Sequence, residues 1–249
     1  MFTPRGVIPA LVTPLTREGD LLEQGLRDVI DFTIAAGVHG VFVLGSAGEF
    51  YGLSRETRRR VIEIAVEHTA GRVPVYVGAS EITTRNAVEA ARTAQEVGGV
   101  TALSVLTPYF MAPTQSELVR HFTAIAASTE LPIILYTNPA RAHVELTLET
   151  IVALSEVDNI IGLKDATGDI GRGASLLARL PERFAVYSGN DDSALALMAM
   201  GADGVISVTA NVAPKPMAEM CAAALAGDFA KALTINHKLI TLHERMFSE

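Results

Sequence analysis

Apolar residues in this chain follow two alternating rhythms. Short runs rich in β-branched and other apolar residues occur at 6–13 (GVIPALVT), 40–45 (GVFVLG), 73–79 (VPVYVGA), 102–108 (ALSVLTP), 131–137 (LPIILYT), 160–165 (IIGLKD), 184–189 (FAVYSG) and 204–209 (GVISVT). Their apolar residues are continuous rather than alternating with polar ones. That is the pattern of strands covered on both faces, as in a parallel sheet. Between the runs, segments such as ETRRRVIEIAVEHT (56–69) and SELVRHFTAIAAST (116–129) place apolar residues at helical spacing. In LSRET, Ser54 and Thr57 read as a cap that opens the first of these helices. Eight such units predict an α/β protein, read most simply as a (β/α)8 TIM barrel. A doubly wound open sheet is the alternative that the pattern leaves standing.

Composition narrows the picture. The 249 residues match the roughly 250 that a barrel uses as one domain. No linker or low-complexity segment appears, so a single domain over 1–249 is expected. Hydrophobic residues make up 49% of the chain and charged residues 19%, enough for a large core. A formal net charge of −8 argues against nucleic acid or an anionic membrane surface as the main partner. No apolar stretch reaches the length of a membrane span, and Pro4, Arg5 and Pro9 interrupt the N-terminal one. A soluble, cytoplasmic protein is expected. The lone cysteine, Cys221, excludes a disulfide within the chain and reads as a small buried residue on an Ala-rich helix.

In a barrel, the chemistry sits at the C-terminal ends of the strands. Those ends hold Thr13, Gly45 to Glu49, Thr107 to Phe110, Tyr136, Lys164, Gly189 to Asp191 and Ile206. Lys164 ends an apolar run. Desolvation disfavours the charged form of an amine and suits it to attack a carbonyl and form a Schiff base. A structural ion pair with Asp165 or Asp191 is the other reading of the same residue. Tyr136 closes the preceding strand, within reach of Lys164, where its phenol could pass protons or simply cap the core. In GSAGEFYGLS (45–54), two glycines three apart allow close backbone approach to a ligand, and exposed N–H groups there can hold a carboxylate. Ser46 adds a hydroxyl and Glu49 is expected to anchor the loop. Arg141, in YTNPARAH, is suited to bidentate carboxylate binding. The six histidines (39, 68, 121, 143, 237 and 243) lack metal-ligand spacing, and no dinucleotide fingerprint or P-loop is present. Neither a metal nor an organic cofactor is expected.

Six motifs, in order and over nearly the whole chain, resemble the dihydrodipicolinate synthase/N-acetylneuraminate lyase family of class I aldolases: GSAGE, TPYF, ILYTNP, IIGLKDATG, YSGND and GVISVTANVAPKPMAEMC. The resemblance implies that Lys164 forms an imine with pyruvate or another 2-oxo acid and that Tyr136 and Ser46 transfer protons. It implies that Gly45 and Ala47 hold the carboxylate of that acid, with Ile206, Gly189 and Tyr109 lining the site. Arg141 and SGND point to the synthase branch, which joins pyruvate to aspartate semialdehyde in lysine biosynthesis. The alternatives are an aldolase or dehydratase of 2-keto-3-deoxy sugar acids, or a non-catalytic paralogue that binds a 2-oxo acid. The resemblance also implies a homo-oligomer, dimer or tetramer. Three features depart from the family pattern. Ala47 replaces a hydroxyl residue, and Phe110 replaces a tyrosine that a neighbouring subunit normally contributes. The chain also stops at LHERMFSE, where family members continue through further C-terminal helices.

Overall fold

The computed structural model describes residues 5–246. Eight strands form one sheet: β1 (Gly6–Pro9), β2 (Val41–Val43), β3 (Val75–Gly78), β4 (Ala102–Leu106), β5 (Ile133–Thr137), β6 (Ile160–Asp165), β7 (Ala185–Ser188) and β8 (Gly204–Ser207). Every pairing is parallel, each strand lies beside its sequence neighbour, and β1 pairs with β8. The ring closes between β1 and β2 through a single bridge, Ala10 to Phe42, and the bond from Leu11 N–H to the Phe42 carbonyl (2.8 Å). A doubly wound sheet would reverse its strand order and leave two open edges. The barrel reading therefore stands.

The helices alternate with the strands: α1 (Glu23–Ala35), α2 (Arg55–Thr69), α3 (Thr84–Val97), α4 (Gln115–Ala126), the short α5 (Pro139–Ala142), α6 (Leu148–Ser155), α7 (Ile170–Leu177), α8 (Ala194–Ala199), α9 (Pro214–Leu225) and α10 (Phe229–Arg245). Local chemistry sets their starts. Ser54 Oγ accepts the Thr57 N–H at 3.0 Å, as LSRET predicts. Thr114 and Glu117 form a reciprocal capping box at the head of α4. Among the described residues, no helix is long and apolar enough to cross a membrane.

Apolar side chains pack in two layers. Outward-facing strand residues such as Val77, Val105, Leu135 and Leu163 meet the inner faces of the helices. Inward-facing ones, including Ile8, Phe42, Tyr76, Ile134, Tyr187 and Ile206, fill the barrel. Gly78 is required where β3 passes β2, because a Cβ there would lie 1.9 Å from the Leu44 carbonyl oxygen. Cys221 is fully buried; burial, with a smaller contribution from the Asp191 charge, pushes its thiol up to about 12. It is an inert core residue.

Buried histidines give the fold a pH dependence. His121 on α4 is 5% exposed, its Nδ1 lies 2.9 Å from Thr84 Oγ1, and its Nε2 has no hydrogen-bond partner. Burial pushes its pKa down to about 4. The unfolded chain, with histidine near 6.5, binds the proton more readily. Stability is therefore full above pH 6.5 and falls as the pH drops toward 4, by on the order of 3 kcal/mol at most for this residue. Burial also lowers His39 and His243, which act in the same direction. Thermal melts at pH 7 and pH 5 are expected to show a loss that shrinks, without vanishing, in His121→Asn. Equal losses in the two proteins would remove His121 from the account.

Candidate active site

A bulge precedes the central side chain. Along β5 and β6, Ile133 pairs with Ile160 but Ile134 pairs with Gly162, so β6 carries one extra residue, Ile161. The bulge absorbs that residue and leaves the two strands in step beyond it. Ile161 packs with the interior cluster, and Lys164, three positions on, also faces inward. Beyond the bulge, Tyr136 stands opposite Lys164 and Thr137 opposite Asp165.

Lys164 is 4% exposed. Its Nζ lies 4.2 Å from the centre of the Tyr136 ring and 5.6 Å from that of Phe42 on β2. The carboxylates proposed from sequence as its partners are engaged elsewhere. Asp165 Oδ2 accepts from Arg172 Nε at 3.0 Å. Asp191 Oδ2 accepts the N–H groups of Val208 and Thr209 at 3.0 and 2.8 Å. Among the described residues, Lys164 enters no ion pair, so the ion-pair reading falls.

The Tyr136 hydroxyl accepts a hydrogen bond from Asn138 Nδ2 at 3.0 Å, and Ser46 and Lys164 lie close enough to act on its proton. Burial by itself raises a phenol. The Lys164 charge, with the influence of Asn138 and Ser46, outweighs it and holds Tyr136 below its ordinary pKa. Lys164, Tyr136 and Ser46 thus form one connected group built from β6, β5 and the loop after β2.

That loop is shaped by two left-handed residues, Leu44 (φ 59°) and Glu49 (φ 53°), which flank a 3₁₀ turn at Ser46–Gly48. As the first N–H groups of such a turn, those of Ser46 and Ala47 have no partner within it and remain available to an anion. Thr13 fixes the turn by donating to the Gly48 carbonyl at 2.7 Å. Glu49 does not anchor it: its side chain is exposed, because the left-handed backbone turns it away from the barrel.

The remaining predicted residues surround this group at different depths. Ile206 is buried on β8, opposite Ile8. Gly189 follows β7, and its N–H donates to the Asp165 carbonyl at 2.6 Å. Tyr109 is half-buried, edge-on to Phe50 with ring centres 5.9 Å apart. Arg141 sits on α5 with its side chain exposed and forms no ion pair among the described residues. Phe110 is 86% exposed, with φ 71°. Among the described residues, four of the five non-glycine residues with left-handed backbone (Leu44, Glu49, Phe110 and His143) lie in loops on this end of the barrel. Backbone strain concentrates where function does. Sequence reasoning placed Thr13 at the site and missed Asn138 and Phe42. The only signal for Asn138 was its place directly before Pro139, two residues after the tyrosine.

Comparison with known proteins bears on the fold and the family. The family model described as "Dihydrodipicolinate synthetase family" matches residues 3–249. A 4-hydroxy-tetrahydrodipicolinate synthase of Azoarcus sp. (strain BH72) is 48% identical over 244 residues, covering 98% of this chain and 83% of that protein. The structure is similar to that of the dihydrodipicolinate synthase of Acinetobacter baumannii complexed with pyruvate, with TM-score 0.97, 42% identity and coverage of 99% and 84%. It is also similar to a structure described as the first monomeric dihydrodipicolinate synthase variant, with TM-score 0.95, 33% identity and coverage of 98% and 82%.

The coupling between Lys164 and Tyr136 is directly measurable. Burial raises Tyr76, Tyr109 and Tyr187. An absorbance titration of tyrosinate formation is expected to show one buried phenol titrating below these three. In Lys164→Met that phenol moves upward, because the charge that opposes burial is gone. An unchanged titration in the variant would mean that Lys164 does not set the state of Tyr136.

Proposed function

The chain belongs to the dihydrodipicolinate synthetase family, and on that premise we propose how its residues carry out the reaction of a 4-hydroxy-tetrahydrodipicolinate synthase. The observation that carries the reading is the register of β5 and β6, which sets a buried amine 4.2 Å from the ring of a hydrogen-bonded phenol. Lys164 attacks the ketone carbon of pyruvate, and loss of water gives the imine. The Ser46 and Ala47 N–H groups face the pyruvate carboxylate. Tyr136, beside Ser46, takes and returns protons as the carbinolamine forms and collapses. Loss of a methyl proton from the imine gives an enamine, whose carbon attacks the aldehyde carbonyl of aspartate semialdehyde. Arg141, exposed at the mouth and in no ion pair among the described residues, receives the carboxylate of that second substrate.

Phe110 supports self-association. A phenylalanine 86% exposed beside the 57% exposed Met111 forms an apolar projection on the rim of the site. In a homodimer the ring would enter the site of the second copy, where it cannot relay protons, so proton transfer in this chain rests on Tyr136 and Ser46. The metabolic reaction and the single free thiol, Cys221, fit a cytoplasmic setting.

Two experiments bear on this reading. Incubation with pyruvate and borohydride is expected to add the mass of a reduced pyruvyl group to the wild type and not to Lys164→Ala. Tyr136→Phe should still be trapped but turn over roughly 10²-fold more slowly, the usual scale of a lost proton-transfer group. No adduct on folded wild type would remove the imine from the mechanism. Separately, Phe110→Asp is expected to weaken self-association by at least about tenfold in sedimentation velocity, the scale on which a buried aromatic anchor acts. A distribution of species identical to the wild type would place the interface elsewhere.

A further inference from the structure

Arg172, on α7, has a side chain only 9% exposed and engages three acceptors on two other elements. Its Nε donates to Asp165 Oδ2 at 3.0 Å, one terminal nitrogen to Glu145 Oε1 at 2.7 Å, and the other to the Leu146 carbonyl at 2.5 Å. Asp165 directly follows Lys164 on β6 and points to the opposite face of the sheet. Its other oxygen is taken by the Thr167 N–H and hydroxyl, at 2.9 and 2.6 Å. Glu145 and Leu146 close the segment that leaves β5 after Tyr136 and carries Asn138 and Arg141. Neutral groups hold the same segment from its other side: Gln115 Nε2 donates to the Glu145 carbonyl at 2.8 Å, and the Leu146 N–H donates to Thr137 Oγ1 at 3.2 Å.

A guanidinium presents its N–H groups in a rigid fork, so simultaneous bonds to a strand and to a loop fix the spacing between them. An ammonium group in the same place offers one compact head and cannot span both. We propose that Arg172 is a positioning residue for the second substrate. It locks the Arg141-bearing segment to the strand that carries Lys164 and so sets the span between the imine and the cation that receives the carboxylate of the aldehyde. The proposal rests on the roles given above to Lys164 and Arg141. Pyruvate, held by the loop after β2 and by Lys164 itself, lies outside this linkage, and the effect of breaking it therefore falls on one substrate alone.

Steady-state kinetics of Arg172→Lys, with each substrate varied in turn, test this. The KM for aspartate semialdehyde is expected to rise about tenfold while that for pyruvate stays within about twofold, because only ground-state and transition-state contacts to the aldehyde are lost. Borohydride trapping of pyruvate should match the wild type. Equal rises in both KM values, loss of trapping, or no change in either KM would overturn the proposal. Should Arg172→Lys fail to fold, Glu145→Ala severs only the solvent-facing contact. A rise of about threefold in the aldehyde KM alone then supports the proposal, and no rise overturns it. A wild-type protein that traps no pyruvate would overturn the imine reading itself, and this proposal with it.

Discussion

An amine that loses its water must be held by something other than water, and in this barrel that something is not a carboxylate. Isolated charge inside a protein is strongly disfavoured, which is why buried lysines ordinarily carry a partner of opposite sign. Lys164 instead faces the rings of Tyr136 and Phe42, whose electron-rich faces attract a cation without fixing its proton. A carboxylate at the same distance would hold the ammonium form and block its nucleophilic use. The acids that sequence offered as partners are bonded elsewhere: Asp165 to Arg172 and Thr167, and one oxygen of Asp191 to the backbone of Val208 and Thr209. Much of the polar network behind the strands keeps negative charge bonded away from one nitrogen.

The rest of the site follows from where that nitrogen sits. Tyr136 lies on the adjacent strand because consecutive strands pair in a (β/α)8 barrel, and Ser46 comes beside Tyr136 on a loop that has Leu44 in a left-handed turn. The turn fits only because β3 presents Gly78 to the Leu44 carbonyl. One glycine on β3 thereby supports the geometry of a hydroxyl on the loop after β2. Farther out, Arg141 rides on a four-residue helix, and the segment after it is tied down by Gln115 on α4, Thr137 at the end of β5 and Arg172 on α7.

Much of this was legible in the chain. The run at 160–165 coincides with β6 because an unbroken apolar stretch ending in charge has few other solutions in a covered sheet. Tyr136 and Lys164 could be placed side by side from strand order alone. The first run, 6–13, overshot: β1 ends at Pro9, and beyond Ala10 the chain leaves the sheet. Glu49 was misread because a left-handed residue after a 3₁₀ turn sends its side chain outward, and nothing in GSAGE announces that backbone. Arg172 escaped notice because its importance lies in contacts to residues 7 to 27 positions away, set by how α7 lies against the segment after β5. Periodicity reports which face of an element is buried; it does not report which polar groups meet across two elements.

The extra residue in β6 has a bearing on how such sites are inherited. Beyond the bulge the two strands are back in step, so if Ile161 were lost, Ile160 and Gly162 would pair with Ile133 and Ile134 as consecutive residues and Lys164 would still face the barrel opposite Tyr136. An extra residue taken up without a bulge between Gly162 and Lys164 would instead turn the amine into the helical layer and the carboxylate of Asp165 into the barrel. Two descendants could then both carry a lysine followed by DATG and differ in whether they possess a nucleophile at all. The residue that stands across from Tyr136 is therefore a sharper criterion of kinship in chemistry than the presence of the lysine or the length of the strand before it.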